Sequence, residues 1–240
     1  QLGSSNSRRE RDDFAPLVQR AAREFSREEI RNYRSAVAGY NCLASDRFEI
    51  AIATKELCMG MANPTLEDLQ RVKRLIRYLK GLARMVQRIP FADQPPSIIR
   101  AYVDSDWAGC RKTRKSISGG VLYFGESAVG GWPSTQAVHA LSSGEAEYYP
   151  PLKLQSMLTD LGMKASVTLF TDSSAARGII HRAGLSKLHH LETGYLGLQA
   201  AVKNKRLQVR KVAGKEKPAD LFTKHLGAAD MWKHLETLHM

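Results

Sequence analysis

The chain has 240 residues, of which 43% are hydrophobic. This is enough apolar side chain to bury a core, and it excludes a wholly disordered protein. The net charge is +12, from 36 Lys and Arg against 24 Asp and Glu. Such an excess indicates a polyanionic partner or an anionic surface. The sequence has no apolar run near the roughly 18 residues that a membrane span needs, so we expect no membrane partner.

The cysteines indicate a reducing environment. Cys42, Cys58 and Cys110 are odd in number and widely separated, and they form neither a disulfide framework nor a CxxC metal pair. We therefore expect an intracellular protein, cytoplasmic or nuclear. The sequence begins with Gln1 rather than Met, which leads us to expect a piece of a longer protein, either a processed product or a gene fragment.

The first part of the chain is predicted to be helical. Residues 1–32 are rich in charge and serine, and we expect a disordered or partly helical arm there. A helical segment is predicted over residues 33–96, with its helical pattern ending at Arg88. Its best element follows Pro64, where Thr65 and Asp68 resemble a capping box.

That element has a buried face and a basic edge. On a helical wheel its apolar residues share one broad face. The adjacent stripe consists of Lys73, Arg77, Lys80 and Arg84. Charge runs are usually solvated faces, and contact with phosphates is the alternative.

The second part of the chain reads as an α/β domain over residues 97–227, after a proline-rich linker at residues 89–97. Predicted strands cover residues 98–104, 119–124, 137–141, 167–172 and 206–212, the first three antiparallel. Predicted helices cover residues 152–161, 173–180 and 190–203. A further helix begins near residue 217, and a tail helix occupies residues 228–240.

Four acidic side chains stand at the ends of predicted elements. Asp104 and Asp172 end strands, Glu147 precedes a helix, and Asp220 opens one. Clustered carboxylates repel one another unless a divalent cation neutralises them, and Mg²⁺ prefers oxygen ligands. Together they predict a two-metal site for phosphodiester hydrolysis. For any one of them, turn or capping chemistry is the commoner explanation.

Four motifs in order strengthen this interpretation. They are YVDSDWAGCRKTRKSISGG (residues 102–120), STQAVHALSSGEAEYY (134–149), TDSSAARGI (171–179) and PADLFTKHL (218–226). They resemble the ribonuclease H domain at the carboxyl end of copia-type retrotransposon (retrovirus-related) Pol polyproteins. Residues 33–81 are similar to the segment that joins the reverse transcriptase to that domain. The resemblance implies an α/β, ribonuclease H-like mixed sheet of five strands with flanking helices, preceded by a small helical segment.

The resemblance also implies a site. Its catalytic metal ligands would be Asp104, Glu147, Asp172 and Asp220, with two Mg²⁺ ions, or Mn²⁺ in their place. Asp106 is a less favoured substitute for Asp104. Glu147 is chosen over Glu145 because in AEY the acid followed by the aromatic residue matches the family. The paired aspartates of the polymerase are absent.

The implied activity is that of a Mg²⁺-dependent endoribonuclease, which cuts the RNA strand of RNA-DNA hybrids as part of a retrotransposon polyprotein. Its partners would be the hybrid and, in cis, the reverse transcriptase, within a retrotransposon particle. Binding to the hybrid's phosphates is predicted for basic and hydroxyl side chains. These are Lys73, Arg77, Lys80, Arg84, Arg111, Lys112, Arg114, Lys115 and Ser116.

One departure from the family argues for weakened activity. The family has an unbroken helix directly after Glu147, whereas Pro150 and Pro151 disfavour helix there. A helix restarting near Pro151 would be short and would leave Glu147 on a loop. The alternatives are a catalytically inactive remnant that folds and binds nucleic acid, and a structural module of a larger polyprotein.

Overall fold

The computed structural model describes residues 25–91, 98–110, 112–150, 166–181 and 194–240. The described residues form two compact units. One comprises those up to Cys42 together with Glu56–Ala83, and the other comprises those of Leu43–Lys55 and Arg84–Met240.

The first unit is helical. It draws on helices α1 (Arg27–Leu43), α2 (Ala51–Cys58) and α3 (Leu66–Gly81). The hydroxyl of Tyr33 donates a hydrogen bond of 2.8 Å to the carbonyl of Leu57. The buried apolar side chains are Tyr33, Val37, Leu57, Val72 and Leu75. Spaced three or four residues apart on α1 and α3, they give each helix one apolar stripe.

Helix α3 begins as predicted and ends earlier than predicted. The side chain of Thr65 accepts from the amide of Asp68, and Asp68 accepts from the amide of Thr65, so the capping box is confirmed. The helix stops at Gly81, whereas the pattern predicted helix to Arg88. Glycine costs a helix about 1 kcal/mol relative to Ala, so the last turn is weak. Arg84 therefore lies beyond the helix, and the predicted four-residue stripe is wrong at that position.

The second unit is built on a sheet of five strands. They are β1 (Ile98–Asp106), β2 (Ile117–Phe124), β3 (Ser127–Thr135), β4 (Ser166–Thr171) and β5 (Leu207–Lys211). Their order is β3-β2-β1-β4-β5. The pairs β1–β2 and β2–β3 are antiparallel, while β1–β4 and β4–β5 are parallel. The predicted mixed sheet is confirmed.

The third strand is not where the sequence predicted it. Strand β3 runs from Ser127 to Thr135, whereas residues 137–141 contain no strand. Its glycines and Pro133 resemble a turn in the sequence. The structure accommodates Pro133 because β3 is an edge strand, where proline is tolerated. Gly131 lies under a ring, since a Cβ there would be 2.1 Å from Cζ of Phe222.

Helices cover the sheet. They are α4 (Ser143–Ala146), α5 (Ser174–His181), α6 (Gly194–Lys203) and α7 (Ala228–Thr237), with 3₁₀ helices at Phe48–Ile50, Gly214–Glu216 and Pro218–Phe222. The helix predicted from residue 217 is thus a short 3₁₀ helix, with α7 as a separate element after Gly227. The predicted helix over residues 152–161 lies outside the described residues.

Two apolar layers lie on opposite faces of the sheet, because successive strand side chains alternate. On one face, the buried residues include Ile99, Ala101, Val103, Leu169, Tyr148, Ile180 and Leu198. On the other, they include Val121, Tyr123, Phe222, Leu235, Leu238 and Phe48. The Phe48 and Phe222 rings lie 5.7 Å apart. This second layer holds the Pro218–Phe222 helix against the sheet.

Candidate metal centre

Three carboxylates meet at one end of the sheet. Asp104 lies near the end of β1, and Asp172 directly follows the parallel neighbour β4. Parallel strands bring their carboxyl ends to the same edge, so the two side chains are adjacent. Glu147 reaches them from the end of α4. One ligand oxygen from each of the three lies within 4.8 Å of the others.

Glu147 is held in place by its backbone and its carboxylate. Its amide donates to the carbonyl of Ser143 at 2.9 Å, and its Oε1 accepts from the amide of Ser105 at 3.3 Å. The expectation that it hangs on a loop is wrong, because it closes the short helix α4. Residues 149 and 150 are already helical. Proline is tolerated in the first turn of a helix, where its missing N–H is not needed.

The two substitute acids lie elsewhere. Glu145 accepts a hydrogen bond of 2.8 Å from the amide of Leu141, and so it fixes the entry to α4. Asp106 packs against the following turn, where a Cβ at Gly109 would be 2.1 Å from its Oδ2. The three-carboxylate cluster of the described chain therefore contains neither of them.

A lysine that the sequence analysis missed lies among the carboxylates. The ammonium of Lys217 donates to Oδ1 of Asp104, and it lies 2.7 Å from Oδ1 of Asp172. Oδ1 of Asp220 is 3.6 Å away. The side chain is only 1% exposed. Asp220 is thus brought to the same end of the sheet, where it shares this lysine with Asp104 and Asp172.

Two residues that follow Lys217 closely in the chain, Thr223 and Lys224, also contact Asp104. The hydroxyl of Thr223 donates to Oδ2 of Asp104. The ammonium of Lys224 lies 3.3 Å from that oxygen and 3.2 Å from Oδ1 of Asp220. One feature of the sequence could have indicated these lysines. In KPADLFTK, Lys217, Asp220 and Lys224 are three and four residues apart, a spacing that places side chains on the same face of a helix.

Gly119 allows the segment of residues 217–224 to approach the sheet closely. It pairs with Asp104 across β1 and β2. A Cβ at this position would lie 2.7 Å from Cβ of Phe222 and 2.7 Å from Cγ2 of Thr223. Because glycine has no side chain, the segment packs directly on the backbone of β2, within reach of Asp104.

The carboxylates differ in their electrostatics. Burial favours the neutral acid, but Lys217 and Lys224 outweigh it and lower the pKa of Asp104. Glu147 is only 9% exposed. Burial, together with the charges of Asp104 and Asp172, raises the pKa of Glu147 to about 8. Burial, followed by the charge of Asp104, also raises the pKa of Asp220. One buried ammonium therefore does not neutralise the whole set.

This donor set fits a hard divalent cation. Carboxylate oxygens are the ligands that Mg²⁺ prefers, and Mn²⁺ accepts the same donors. In the described part of the chain, Oε2 of Glu147 is buried and has no hydrogen-bond partner. A buried acceptor is rarely left unsatisfied in proteins, and a cation bound between these carboxylates would satisfy it.

The residues predicted to contact phosphates have varied surroundings. Ser116 does not fit that role, because it is buried and its hydroxyl accepts from the amide of Ala108 at 3.1 Å. The ammonium of Lys115 donates to the carbonyl of Ala137. The exposed basic residues are Lys73, Arg77 and Lys80 on α3, with Arg84, Lys112 and Arg114 in non-helical segments. Arg111 lies outside the described residues.

Comparison with known proteins identifies relatives over most of the chain. No family model matches. The chain is 29% identical over 202 residues, 80% of its length, to the retrovirus-related Pol polyprotein from transposon TNT 1-94 of Nicotiana tabacum. It is 29% identical over 204 residues, 81% of its length, to that from transposon RE1 of Arabidopsis thaliana. Both of these homologues are retrovirus-related Pol polyproteins of plant transposons. The chain spans only 15% and 14% of those two proteins.

A solved structure resembles the chain as well. The foamy viral protease-reverse transcriptase in complex with RNA/DNA hybrid is 10% identical, with a TM-score of 0.51 over 84% of this Pol-related chain and 27% of that protein. The described strands form the sheet that the ribonuclease H resemblance implies, so the predicted fold class is confirmed. None of the described helices has the length and apolar character needed to cross a bilayer.

Proposed function

We propose that the chain is a Mg²⁺-dependent endoribonuclease that cuts the RNA strand of RNA-DNA hybrids within a Pol polyprotein. The observation that carries this proposal is the cluster of Asp104, Glu147 and Asp172 at the end of a mixed sheet. The Pol homologues support the class of reaction. The foamy viral protein was solved with an RNA/DNA hybrid, which supports the class of substrate.

The proposed roles follow from the geometry. Asp104, Glu147 and Asp172 would hold a shared metal, and Asp220 would complete the site of a second ion. When bound, the ions would activate the attacking water and stabilise the leaving oxygen. The chain's own contribution is positioning. Thr223 orients the carboxylate of Asp104, and the amide of Ser105 orients that of Glu147.

Lys224 is placed to meet the substrate. Its side chain is 40% exposed, while its ammonium touches both Asp104 and Asp220. A partly exposed cation beside buried carboxylates can contact a phosphate that enters from solvent. We assign it to charge neutralisation of the hybrid's backbone near the cleaved bond.

The wider arrangement belongs to the same proposal. The arm (residues 1–32), the connection segment (33–96), the ribonuclease H domain (97–227) and the tail helix (228–240) would be parts of one intracellular polyprotein, with the reverse transcriptase in cis. Exposed basic side chains would bind the hybrid's phosphates. Those with described positions are Lys73, Arg77, Lys80, Arg84, Lys112 and Arg114.

Cleavage of a labelled hybrid in Mg²⁺ tests the function. We expect cleavage that Asp172→Asn reduces by at least about a hundredfold, since misplacing a reacting group by about 1 Å already has an effect of that size. Asp46→Asn, a change of the same type at an exposed acid, is the matched control. Equal cleavage by wild type and Asp172→Asn would contradict the proposal.

An inactive remnant that binds nucleic acid is the second candidate. The observation that favours it is the position of Lys217, whose ammonium already occupies oxygens of Asp104 and Asp172. Hybrid binding without cleavage at any Mg²⁺ or Mn²⁺ concentration would select this candidate over the enzyme.

A further inference from the structure

The ammonium of Lys217 lies where a metal shared by the carboxylates would lie. It contacts Oδ1 of Asp104 and is 2.7 Å from Oδ1 of Asp172. A magnesium ion binds carboxylate oxygens at about 2.1 Å in octahedral geometry. An ammonium and a divalent cation cannot both approach the same two oxygens, because they compete for the lone pairs and repel each other.

Lys217 also supplies a buried positive charge to these acids, in addition to the partly exposed Lys224. Asp104 is only 1% exposed, and an unpaired charge buried to that degree is strongly unfavourable. Lys217 and Thr223 supply hydrogen bonds to its two oxygens. Not every acidic oxygen is satisfied in this way, because Oε2 of Glu147 has no hydrogen-bond partner in the described residues.

Lys217 has another acceptor within reach. Oδ1 of Asp220, one turn further along the chain, lies 3.6 Å from its ammonium. A lysine side chain has four rotatable carbon bonds, so a small rotation would transfer the ammonium from Asp104 and Asp172 towards Asp220. The buried charge would then remain paired while the first two carboxylates bind a metal.

We propose that Lys217 is a resident cation that a divalent metal must displace, so that competition with this lysine weakens metal binding by the chain. The choice of Mg²⁺ as the natural competitor rests on the proposed function, whereas the competition itself does not. In this arrangement Lys217 positions Asp104 and Asp172 in the absence of metal and limits their occupancy when metal is scarce.

The test measures Mn²⁺ binding by calorimetry and by the electron paramagnetic resonance of free Mn²⁺. Lys217→Gln removes the competing charge. We expect this variant to bind Mn²⁺ at least about tenfold more tightly than wild type does, a difference of roughly 1.4 kcal/mol. Lys224→Gln is the matched control. It also removes a positive charge beside Asp104, but its side chain is partly exposed and is 3.3 Å from the other oxygen.

Each outcome decides the proposal. A gain in Lys217→Gln that exceeds the gain in Lys224→Gln, and that is lost when Asp172→Asn is added, supports displacement at this cluster. Equal gains in Mn²⁺ affinity in both variants would mean that loss of any nearby positive charge has this effect, which contradicts specific displacement of Lys217. No gain in affinity would also contradict the proposal. If Lys217→Gln unfolds in EDTA, Mn²⁺ should restore its circular dichroism spectrum. Failure to fold at any Mn²⁺ concentration would make Lys217 a structural residue only.

The same variants separate this inference from the proposed function. Tighter Mn²⁺ binding by Lys217→Gln, with no hybrid cleavage by wild type or by this variant, sustains the inference and removes the enzyme proposal. Cleavage by wild type with unchanged Mn²⁺ affinity in Lys217→Gln overturns the inference and leaves the enzyme proposal standing.

Discussion

Asp104 shows how much one buried carboxylate depends on its neighbours. Its two oxygens contact Lys217, Thr223 and Lys224, all from a segment more than 110 residues away in sequence. The acid itself could be predicted from its place at the end of a strand. Its partners could not, because nothing local to YVDSD indicates which distant residues will pack against it.

The hydrogen bond from Thr223 to Asp104 leads to a prediction about stability and metal affinity. Thr223→Val removes the hydroxyl that donates to Asp104 while it keeps the shape of the side chain. We expect the free energy of unfolding to fall by about 1 to 3 kcal/mol, and Mn²⁺ affinity to fall about 10- to 100-fold as the ligand loses its orientation. Urea unfolding and calorimetry measure the two effects. Thr223→Ser, which retains the hydroxyl, should stay close to wild type in affinity, and equal losses in both variants would contradict the prediction.

His234 predicts a pH dependence of stability. It is buried in α7, and burial lowers its pKa below the ordinary value of 6.5. The unfolded chain therefore binds a proton more readily, so this residue destabilises the fold as the pH falls below 6.5. The urea midpoint of wild type should fall relative to that of His234→Gln between pH 7.5 and pH 5. His139→Gln, the same change at an exposed histidine, is the control variant.

At the scale of elements, long periodic patterns were predictable and packing-dependent ones were not. The start of α3 follows from Thr65 and Asp68, because a capping box is a local interaction. The sequence of β3 does not favour a strand, since Gly131 and Pro133 are residues with low strand propensity. It forms because an edge position tolerates the proline and the ring of Phe222 fills the space above the glycine.

The two neighbouring glycines of β3 give a matched pair of variants. Gly131→Ala would place a Cβ 2.1 Å from the fully buried ring of Phe222, whereas nothing lies within 4 Å of a Cβ at Gly130. We expect Gly131→Ala to lower the free energy of unfolding by about 1 to 3 kcal/mol through overpacking. Gly130→Ala should be neutral or slightly stabilising. Thermal unfolding measures the midpoints of the two variants. Equal midpoints would contradict the prediction, because they would show that the Phe222 ring moves aside without loss of stability.

At the scale of the whole molecule, the four motifs predicted the fold class, while the polyanionic partner indicated by the net charge stays a prediction. A charge of +12 says nothing about where a polyanion binds. The resemblance of four separated motifs predicted the sheet, because the family that they resemble has a mixed five-stranded sheet. The resemblance could not predict that Lys217 lies among the carboxylates, since it indicates which acids form the site and not which lysine pairs with them.

The basic side chains of α3 make a prediction about salt. Lys73, Arg77 and Lys80 are exposed on this helix. If they contact phosphates of the hybrid, changing all three to Glu should weaken binding and reduce the slope of log K against log salt by up to about 0.9 for each lost contact. Fluorescence anisotropy between 50 and 300 mM salt, concentrations typical of such measurements, gives the slope.

A charge-matched control is available elsewhere. Three other basic residues are also exposed: Lys203 ends α6, and Lys205 and Arg206 lie between α6 and β5. Changing these three to Glu alters the net charge equally. The same loss of slope in both triple variants would mean that total charge, rather than the α3 side chains, determines binding.

The long sequence separation between Asp104 and Lys217 has a consequence for how the molecule is made. The residues that pair are 113 positions apart. Closing so long a loop is slow compared with local pairing and is entropically unfavourable until other contacts form. During synthesis from the amino end, β1 and β2 leave the ribosome well before Lys217 is added. The nascent chain therefore carries Asp104 without its lysine, and the acidic end of the sheet matures only after β5 and the Pro218–Phe222 helix have docked.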